Sequence, residues 1–118
     1  MIGKLSRKLM KVADMNSDHG LVFAHYCPGC KAPHFFHLTK PNASGAKWHW
    51  NGDVEQPTFE PSMNINRGYC HYYIKWGNIE FLSDCHHELK GQHVVLPDIP
   101  DDYDAETIRQ DYLDPILK

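Results

Sequence analysis

The four cysteines of this 118-residue chain form two groups that a single metal ion could join. Cys27 and Cys30 flank a Pro-Gly dipeptide, which is the spacing of a zinc knuckle. Cys70 and Cys85 lie on two apolar, aromatic runs separated by a short turn, so a hairpin would bring them together. Four thiolates gathered in this way predict a tetrahedral Zn²⁺ site that ties a knuckle to a hairpin.

The hairpin can form in two registers. A two-residue turn that pairs Trp76 with Ile79 places the two cysteines directly opposite each other. A four-residue loop that pairs Ile74 with Ile79 leaves them as diagonal neighbours. Because side chains alternate between the two faces of a strand, the cysteines share a face in either register.

Two disulfides are the alternative use of these cysteines. The N-terminal sequence MIGKLSRKLMKV lacks the continuous apolar core of a signal peptide. A chain of this length can also form a core without cross-links. We therefore expect a cytoplasmic protein with reduced thiols and Zn²⁺ as its cofactor. A site closed by four cysteines is structural, whereas a catalytic zinc site keeps one position open.

Histidines lie close to every cysteine and widen the choice of ligands. His87 follows Cys85 where the chain curls away from the strand, so it is the alternate metal ligand. His71 follows Cys70 on a strand, so the two side chains point to opposite faces and should not bind one ion.

An enzyme would need an acid or a base beside the metal. The candidates are His71, Asp84 and His34 as general acid or base, with Asn51 orienting a substrate. A hydrogen-bonded surface role is the alternative for each histidine taken singly.

Composition is that of a globular domain, with 42% apolar and 23% charged residues. No apolar stretch is long enough to span a membrane. The net charge of −3 argues against broad nucleic-acid binding. Residues 1–12 are basic and residues 98–118 are acidic, so the two ends could neutralise each other or remain solvated tails.

The apolar pattern predicts a mainly β fold: a small antiparallel sheet with a zinc knuckle and a short C-terminal helix. Two prolines in residues 57–63 predict an extended edge strand there. Asp104 should cap a helix over residues 105–114, with the apolar stripe Ile108, Tyr112 and Ile116. We predict a zinc-binding β domain over residues 1–100 and an acidic helix or tail over residues 101–118.

The pattern WHWNGD-x3-PT-x2-PS, with CH at 70–71 and DCHH at 84–87, resembles a family of small phage and prophage zinc-binding proteins of unknown function. Members often carry the label "ammonia monooxygenase", which these residues do not support. The resemblance runs from about Cys27 to Asp98 and implies a cytoplasmic, phage-associated, zinc-binding β protein. The positions that recur in the family pattern are Cys27, Cys30, His34, Trp50, Asn51, Gly52, Cys70, His71, Asp84, Cys85 and His87.

Three functions follow from these observations. We predict a phage-associated, zinc-stabilised binding or accessory protein that acts on a host or phage macromolecule. A zinc-dependent hydrolase-type enzyme is the alternative, and a single-stranded nucleic-acid binder is the second, with Trp48, Trp50, Tyr72 and Tyr73 as stacking platforms. We expect a protein partner from host or phage, do not favour nucleic acid, and expect no membrane. The oligomeric state stays open.

Overall fold

The computed structural model describes residues 1–65 and 68–117. It contains two antiparallel sheets, each with its strands in sequence order, followed by a short helical segment. The predicted mainly β fold with a short C-terminal helix is confirmed, with two sheets in place of one. Lys118, the last residue of the predicted C-terminal region, lies outside the described residues.

The first sheet holds the knuckle at the turn of its last hairpin. Cys27 pairs with Ala32 across this turn, and the Lys31 N–H donates to the Cys27 carbonyl at 2.8 Å. The knuckle is thus the turn of this hairpin, which places Cys27 and Cys30 at one end of the strands. The four strands are β1 (Gly3–Lys4), β2 (Met10–Ala13), β3 (Val22–Cys27) and β4 (Ala32–His37).

The second sheet contains the hairpin that carries Cys70. Ile74 pairs with Ile79, as the four-residue alternative required, and Lys75 also pairs with Asn78. The loop is therefore only Trp76-Gly77, with φ of 50° and 78°, the left-handed conformation that a tight hairpin turn needs. The five strands are β5 (His49–Trp50), β6 (Phe59–Ile65), β7 (Cys70–Lys75), β8 (Asn78–Phe81) and β9 (His93–Val95).

The prediction of an edge strand at residues 57–63 is wrong, because β6 lies between β5 and β7. Pro61 is tolerated there because the pairing of β6 with β7 is interrupted between Phe59 and Met63. On its other side β6 pairs with the short strand β5 only through Phe59 and Glu60. No regular ladder bond is therefore required from the proline nitrogen.

An aromatic core joins the two sheets. The Phe36 ring of the first sheet stacks on the Phe59 ring of the second, with centroids 4.0 Å apart and planes within 2° of parallel. Trp48 packs edge-on against Phe36 at 5.3 Å. Tyr72, Ile74 and Phe59 are almost fully buried around this contact. Burial of these large side chains is the main source of stability at the sheet interface.

A second apolar cluster lies between the first sheet and the C-terminal segment. Asp104 caps α1 (Ala105–Ile108) by accepting a hydrogen bond from the Thr107 N–H at 3.0 Å, as predicted. The chain continues through a π-helical turn (Arg109–Leu113) and a 3-10 turn (Asp114–Leu117). The wider turn brings Leu113 into the core beside Ile108, with only 2% of its surface exposed.

The predicted apolar stripe is therefore wrong beyond Ile108. Tyr112 and Ile116 are 46% and 57% exposed, because the π-helical turn inserts one residue into the helical repeat. Pro115 lies within the helical segment. It is the second residue of the 3-10 turn, a position whose backbone N–H needs no hydrogen-bond partner within the helix.

The charged ends of the chain meet on the surface. Lys4 lies 3.8 Å from Asp101, and Lys8 lies 3.7 Å from Asp98. These two lysines therefore contact the acidic C-terminal region, as one of the two expectations required, whereas Lys11 pairs with Asp14 at 2.9 Å. Within the described ranges, no helix is long and apolar enough to cross a membrane.

The packing predicts that Leu113 and Ile116 differ in their contribution to stability. Leu113→Ala should lower the free energy of unfolding by about 2–5 kcal/mol, because it leaves a cavity between the C-terminal segment and the first sheet. Ile116→Ala, a matched truncation of an exposed side chain, should change it by no more than about 0.5 kcal/mol. Urea denaturation measures both, and equal effects would contradict the observed register.

Candidate active site and metal centre

Four side chains converge at the edge where the two sheets meet. Cys27 and Cys30 come from the knuckle, Cys70 from the start of β7, and His87 from the turn after β8; their ligand atoms all lie within 4.8 Å of one another. The Cys27 and Cys70 sulfurs are 3.8 Å apart, and the Cys70 sulfur is 3.4 Å from His87 Nε2. Two sulfurs bonded to one tetrahedral zinc ion at about 2.3 Å lie about 3.8 Å apart. The spacing of the group therefore fits a metal ion.

Gly29 allows the knuckle to approach His87. A Cβ atom at this position would lie 2.2 Å from the His87 ring, closer than any real contact. The Pro-Gly dipeptide therefore has a steric role, since only glycine lets the imidazole reach the thiols.

The shifted pKa values of the three thiols also favour the binding of a cation. The hydrogen bond from Cys70 lowers the pKa of Cys27 to about 3. The same contact, together with burial, raises the pKa of Cys70, and burial raises the pKa of Cys30 to about 11. Without a cation, one thiol loses its proton easily and its two neighbours keep theirs. A divalent cation would therefore be needed for all three thiols to become thiolates.

Cys85 lies beside this group. Its sulfur is 3.2 Å from His87 Nε2 and donates to the Tyr69 carbonyl at 3.4 Å. The sequence predicts four cysteine ligands, Cys27, Cys30, Cys70 and Cys85, with His87 as the alternate ligand. In the structure, His87 is one of the four converging groups. Cys85 lies outside the group of four whose ligand atoms all lie within 4.8 Å of one another, so the variants below compare it directly with His87.

On the other side of β7, three side chains form a hydrogen-bonded chain. Ser62 Oγ lies 3.0 Å from His71 Nε2, and His71 Nδ1 lies 3.0 Å from one carboxylate oxygen of Asp84 and 3.1 Å from the other. This is the connectivity of a nucleophile, a general base and an orienting carboxylate.

The second sheet positions all three members. Ser62 is on β6, His71 on β7, and Asp84 in the turn after β8. Asn64 pairs with His71, so Ser62, two residues earlier, lies diagonally across the ladder from the imidazole. Cys70 and His71 point to opposite faces, as their sequence positions predicted, which separates the candidate metal ligands from the hydrogen-bonded chain.

The proton positions follow from the carboxylate. The hydrogen bond with His71 lowers the pKa of Asp84, so its oxygens only accept. His71 must therefore carry its proton on Nδ1 and donate it to Asp84. Nε2 is then free to accept the hydrogen bond from the Ser62 hydroxyl, which is the tautomer that a general base requires.

The structure brings together two of the four predicted catalytic candidates, His71 and Asp84. His34 is buried with its Nδ1 2.9 Å from the Tyr72 hydroxyl, on the core side of the sheet. Asn51 organises the following loop, since its Oδ1 accepts from the Asp53 and Thr58 N–H groups. Neither side chain contacts the Ser62 chain of hydrogen bonds among the described contacts.

Sequence reasoning missed Ser62. It follows a proline in a segment for which the prolines predict an edge strand, and a serine alone carries no signal of reactivity. The pairing of Asn64 with His71 puts Ser62 on the same face as His71, because residues two apart on a strand point to the same side. The missing information was the strand order, which no local pattern contains.

A family model described as "Bacterial ubiquitination-like system serine protease (BubE)" matches residues 4–82, more than half of the chain. The chain belongs to the BubE family. No curated protein and no solved structure matches the chain. The BubE match contains Ser62 and His71 and ends before Asp84, so the role of Asp84 depends on geometry.

Membership of the BubE family corrects the predicted function. The prediction of a zinc-stabilised binding or accessory protein is wrong, because the family is described as a serine protease family. The alternative prediction of a hydrolase-type enzyme agrees better with this description, because a protease catalyses hydrolysis. The recognised family is bacterial, as the phage and prophage resemblance allowed, but its description mentions neither phage nor zinc.

The geometry predicts which residues retain a metal. His87→Ala and Cys70→Ser should each lower bound Zn²⁺ well below one equivalent after dialysis, because each removes one of the four converging ligands. Cys85→Ser should keep about one equivalent. Elemental analysis of the purified variants measures this, and loss of Zn²⁺ in Cys85→Ser with retention in His87→Ala would restore the four-cysteine set.

Proposed function

We propose that this chain is a serine protease of a bacterial ubiquitination-like system, with Ser62 as its nucleophile. The observation that carries the proposal is the hydrogen-bonded chain from Ser62 through His71 to Asp84, with both contacts at 3.0 Å. The BubE family description names the same class of chemistry independently. The order of Ser62, His71 and Asp84 along the chain carries no weight in this argument, because such triads are recognised by their geometry and by the role of each residue.

In the first half of the reaction Ser62 Oγ attacks the carbonyl carbon of the scissile peptide bond. His71 Nε2 takes the hydroxyl proton as the bond to Oγ forms, and then gives that proton to the leaving amine as the C–N bond breaks. The substrate acyl group is left as an ester on Ser62.

In the second half a water molecule attacks the ester. His71 Nε2 accepts a proton from the water and returns one to Ser62 Oγ when the C–O bond breaks, so the enzyme is restored. Asp84 holds the imidazole through Nδ1 and stabilises the positive charge that His71 carries in each step.

We further propose Zn²⁺ as the structural metal of the cluster. Cys27, Cys30, Cys70 and His87 would complete a tetrahedral shell, which leaves no open position for substrate. The ion would supply a cross-link between the knuckle and β7. Because His71 follows Cys70 directly, this cross-link would also fix the strand that carries the general base.

The sequence predictions on location, origin and partner also enter the proposal. A reduced thiol cluster suits a cytoplasmic location, and a phage or prophage origin is compatible with a bacterial ubiquitination-like system. We propose that the partner is a protein, which here is the protease substrate. The division into residues 1–100 and 101–118 also stays a prediction.

Ser62→Ala should abolish activity without unfolding the protein, because Ser62 is a half-buried residue on the face away from the metal ligands. We expect loss of covalent labelling by a fluorophosphonate probe and a fall of at least about 10³-fold in peptide hydrolysis. Circular dichroism and Zn²⁺ content should match those of the wild type.

Ser83→Ala is the matched control, since Ser83 is an exposed serine in the turn that carries Asp84. It should label and hydrolyse like the wild type. Full labelling of the Ser62→Ala variant would show that the nucleophile is elsewhere.

The Asp84 carboxylate should keep its contact with His71 over a wide pH range. The hydrogen bond from His71 lowers the pKa of Asp84, so this contact is complete above about pH 4 and is lost only as pH falls through the lowered value. We expect NMR of the Asp84 carboxyl carbon to give a titration midpoint below about 3.9, the ordinary pKa of Asp. Zn²⁺ content measured at each pH is the control. A midpoint at or above the ordinary value would contradict the contact.

A further inference from the structure

A cleft of about 680 Å³ opens beside the proposed nucleophile. Ser62, Met63 and Asn64 of β6 line it, as do residues of β4 and of the loop before Trp48. The C-terminal segment supplies a further part of the lining through Tyr112, Leu113 and Ile116. Ser62 is the member of the Ser62–His71–Asp84 chain that lines the cleft, so a peptide lying in the cleft could present a carbonyl to it.

The described lining of the cleft carries no charge. Its members are apolar, aromatic, amide, hydroxyl and imidazole side chains: Pro33, His34, Phe35, His37, Asn42, Ala43, Ser44, Ala46, Trp48, Ser62, Met63, Asn64, Ile65, Tyr112, Leu113 and Ile116. A carboxylate or ammonium group entering such a cleft loses hydration without gaining an opposite charge from these residues. The lining therefore favours uncharged, apolar side chains of a substrate.

Two exposed apolar side chains of the C-terminal segment face solvent here instead of the core. Tyr112 and Ile116 are 46% and 57% exposed, whereas their neighbour Leu113 is buried. The π-helical turn causes this difference in exposure, because it directs the Leu113 side chain, and not that of Tyr112, toward the core. Apolar surface in a concave site is what small ligands and peptide side chains bury on binding.

The wall that carries these side chains is held in place from behind. Asp114 lies 3.0 Å from His19 Nε2 and 3.4 Å from Arg109 Nε. The Tyr112 ring packs against the Phe35 ring with centroids 5.6 Å apart. A wall positioned before the substrate arrives costs little ordering entropy on binding, so it can discriminate between side chains.

From these observations we propose that the cleft is the substrate groove of the protease and that it selects an apolar side chain near the scissile bond. Tyr112 and Ile116 are its specificity-determining residues. This inference rests on the proposed function, and it assigns substrate selection to a segment beyond the residues that match the BubE model. The occupant is an extended peptide segment of the substrate protein.

The test is a cleavage profile on a mixture of proteome-derived peptides, read by mass spectrometry, for the wild type and four variants. The wild type should prefer an apolar residue at one position near the cut and reject Asp, Glu, Lys and Arg there. Ile116→Ala and Tyr112→Ala should lower kcat/KM for preferred peptides by about 10-fold or more, since a pocket contact of this size contributes about that much. Ile116→Lys should shift the preference toward acidic side chains.

Val95→Ala is the control, because Val95 is an apolar residue that is also exposed, at 67%, but lies on β9 and not in the cleft lining. Its profile should equal that of the wild type. In parallel, the rate of Ser62 labelling by a small fluorophosphonate should stay unchanged in all four variants, because the probe needs the triad and not the groove.

The outcomes separate the two proposals. Normal labelling with an unchanged profile in Ile116→Ala, Tyr112→Ala and Ile116→Lys would overturn the groove and leave the serine protease intact. Absence of labelling in the wild-type protein would overturn both.

Discussion

The alternation of side chains along β7 is the constraint on which the rest of this protein depends. Cys70 points to the metal cluster and His71, the next residue, points to Ser62. After β8 the same division recurs, because Asp84 contacts His71 while Cys85 lies beside His87. The hairpin and the turn after it therefore hold the cysteine–histidine cluster on one face and the Ser62–His71–Asp84 chain on the other. The metal ion proposed for the cluster would restrain the same backbone that sets the Ser62–His71–Asp84 geometry.

Ser62 reaches this hairpin through packing between the sheets. The stacked pair Phe36–Phe59 joins β4 to β6, and β6 continues from Phe59 to Ser62 through the interrupted pairing at Pro61. The interruption lets a strand with a proline lie in the middle of the sheet. The aromatic core thus positions the proposed nucleophile, Ser62, while the cysteine–histidine cluster lies beside the strand that carries the proposed base, His71. A substitution at either place should disturb the Ser62–His71 contact from a distance.

The conspicuous residues of the sequence are not the ones that define the chemistry. Cysteines and histidines at ligand spacing point to a metal, and that reading led toward a zinc-stabilised binding protein, which membership of the BubE family corrects. The proposed reactive group is Ser62, which belongs to the PT-x2-PS pattern but carries no local signal that distinguishes it as a nucleophile. Its significance comes from 3.0 Å contacts with a residue nine positions away and, through it, with Asp84.

Local patterns determined the mainly β fold, the Cys27–Cys30 turn, the presence of a hairpin between the two apolar runs, and the cap at Asp104, because each depends on residues close together in the chain. They left two registers open for the hairpin, and the structure selects the one with Ile74 opposite Ile79. They also separated Cys70 from His71, since strand periodicity is a local property. Only the tertiary structure decided that β6 is a central strand, that Leu113 is buried in place of Tyr112, and that Ser62 meets His71. These features depend on strand order and on packing between distant segments, and no spacing within the sequence records either.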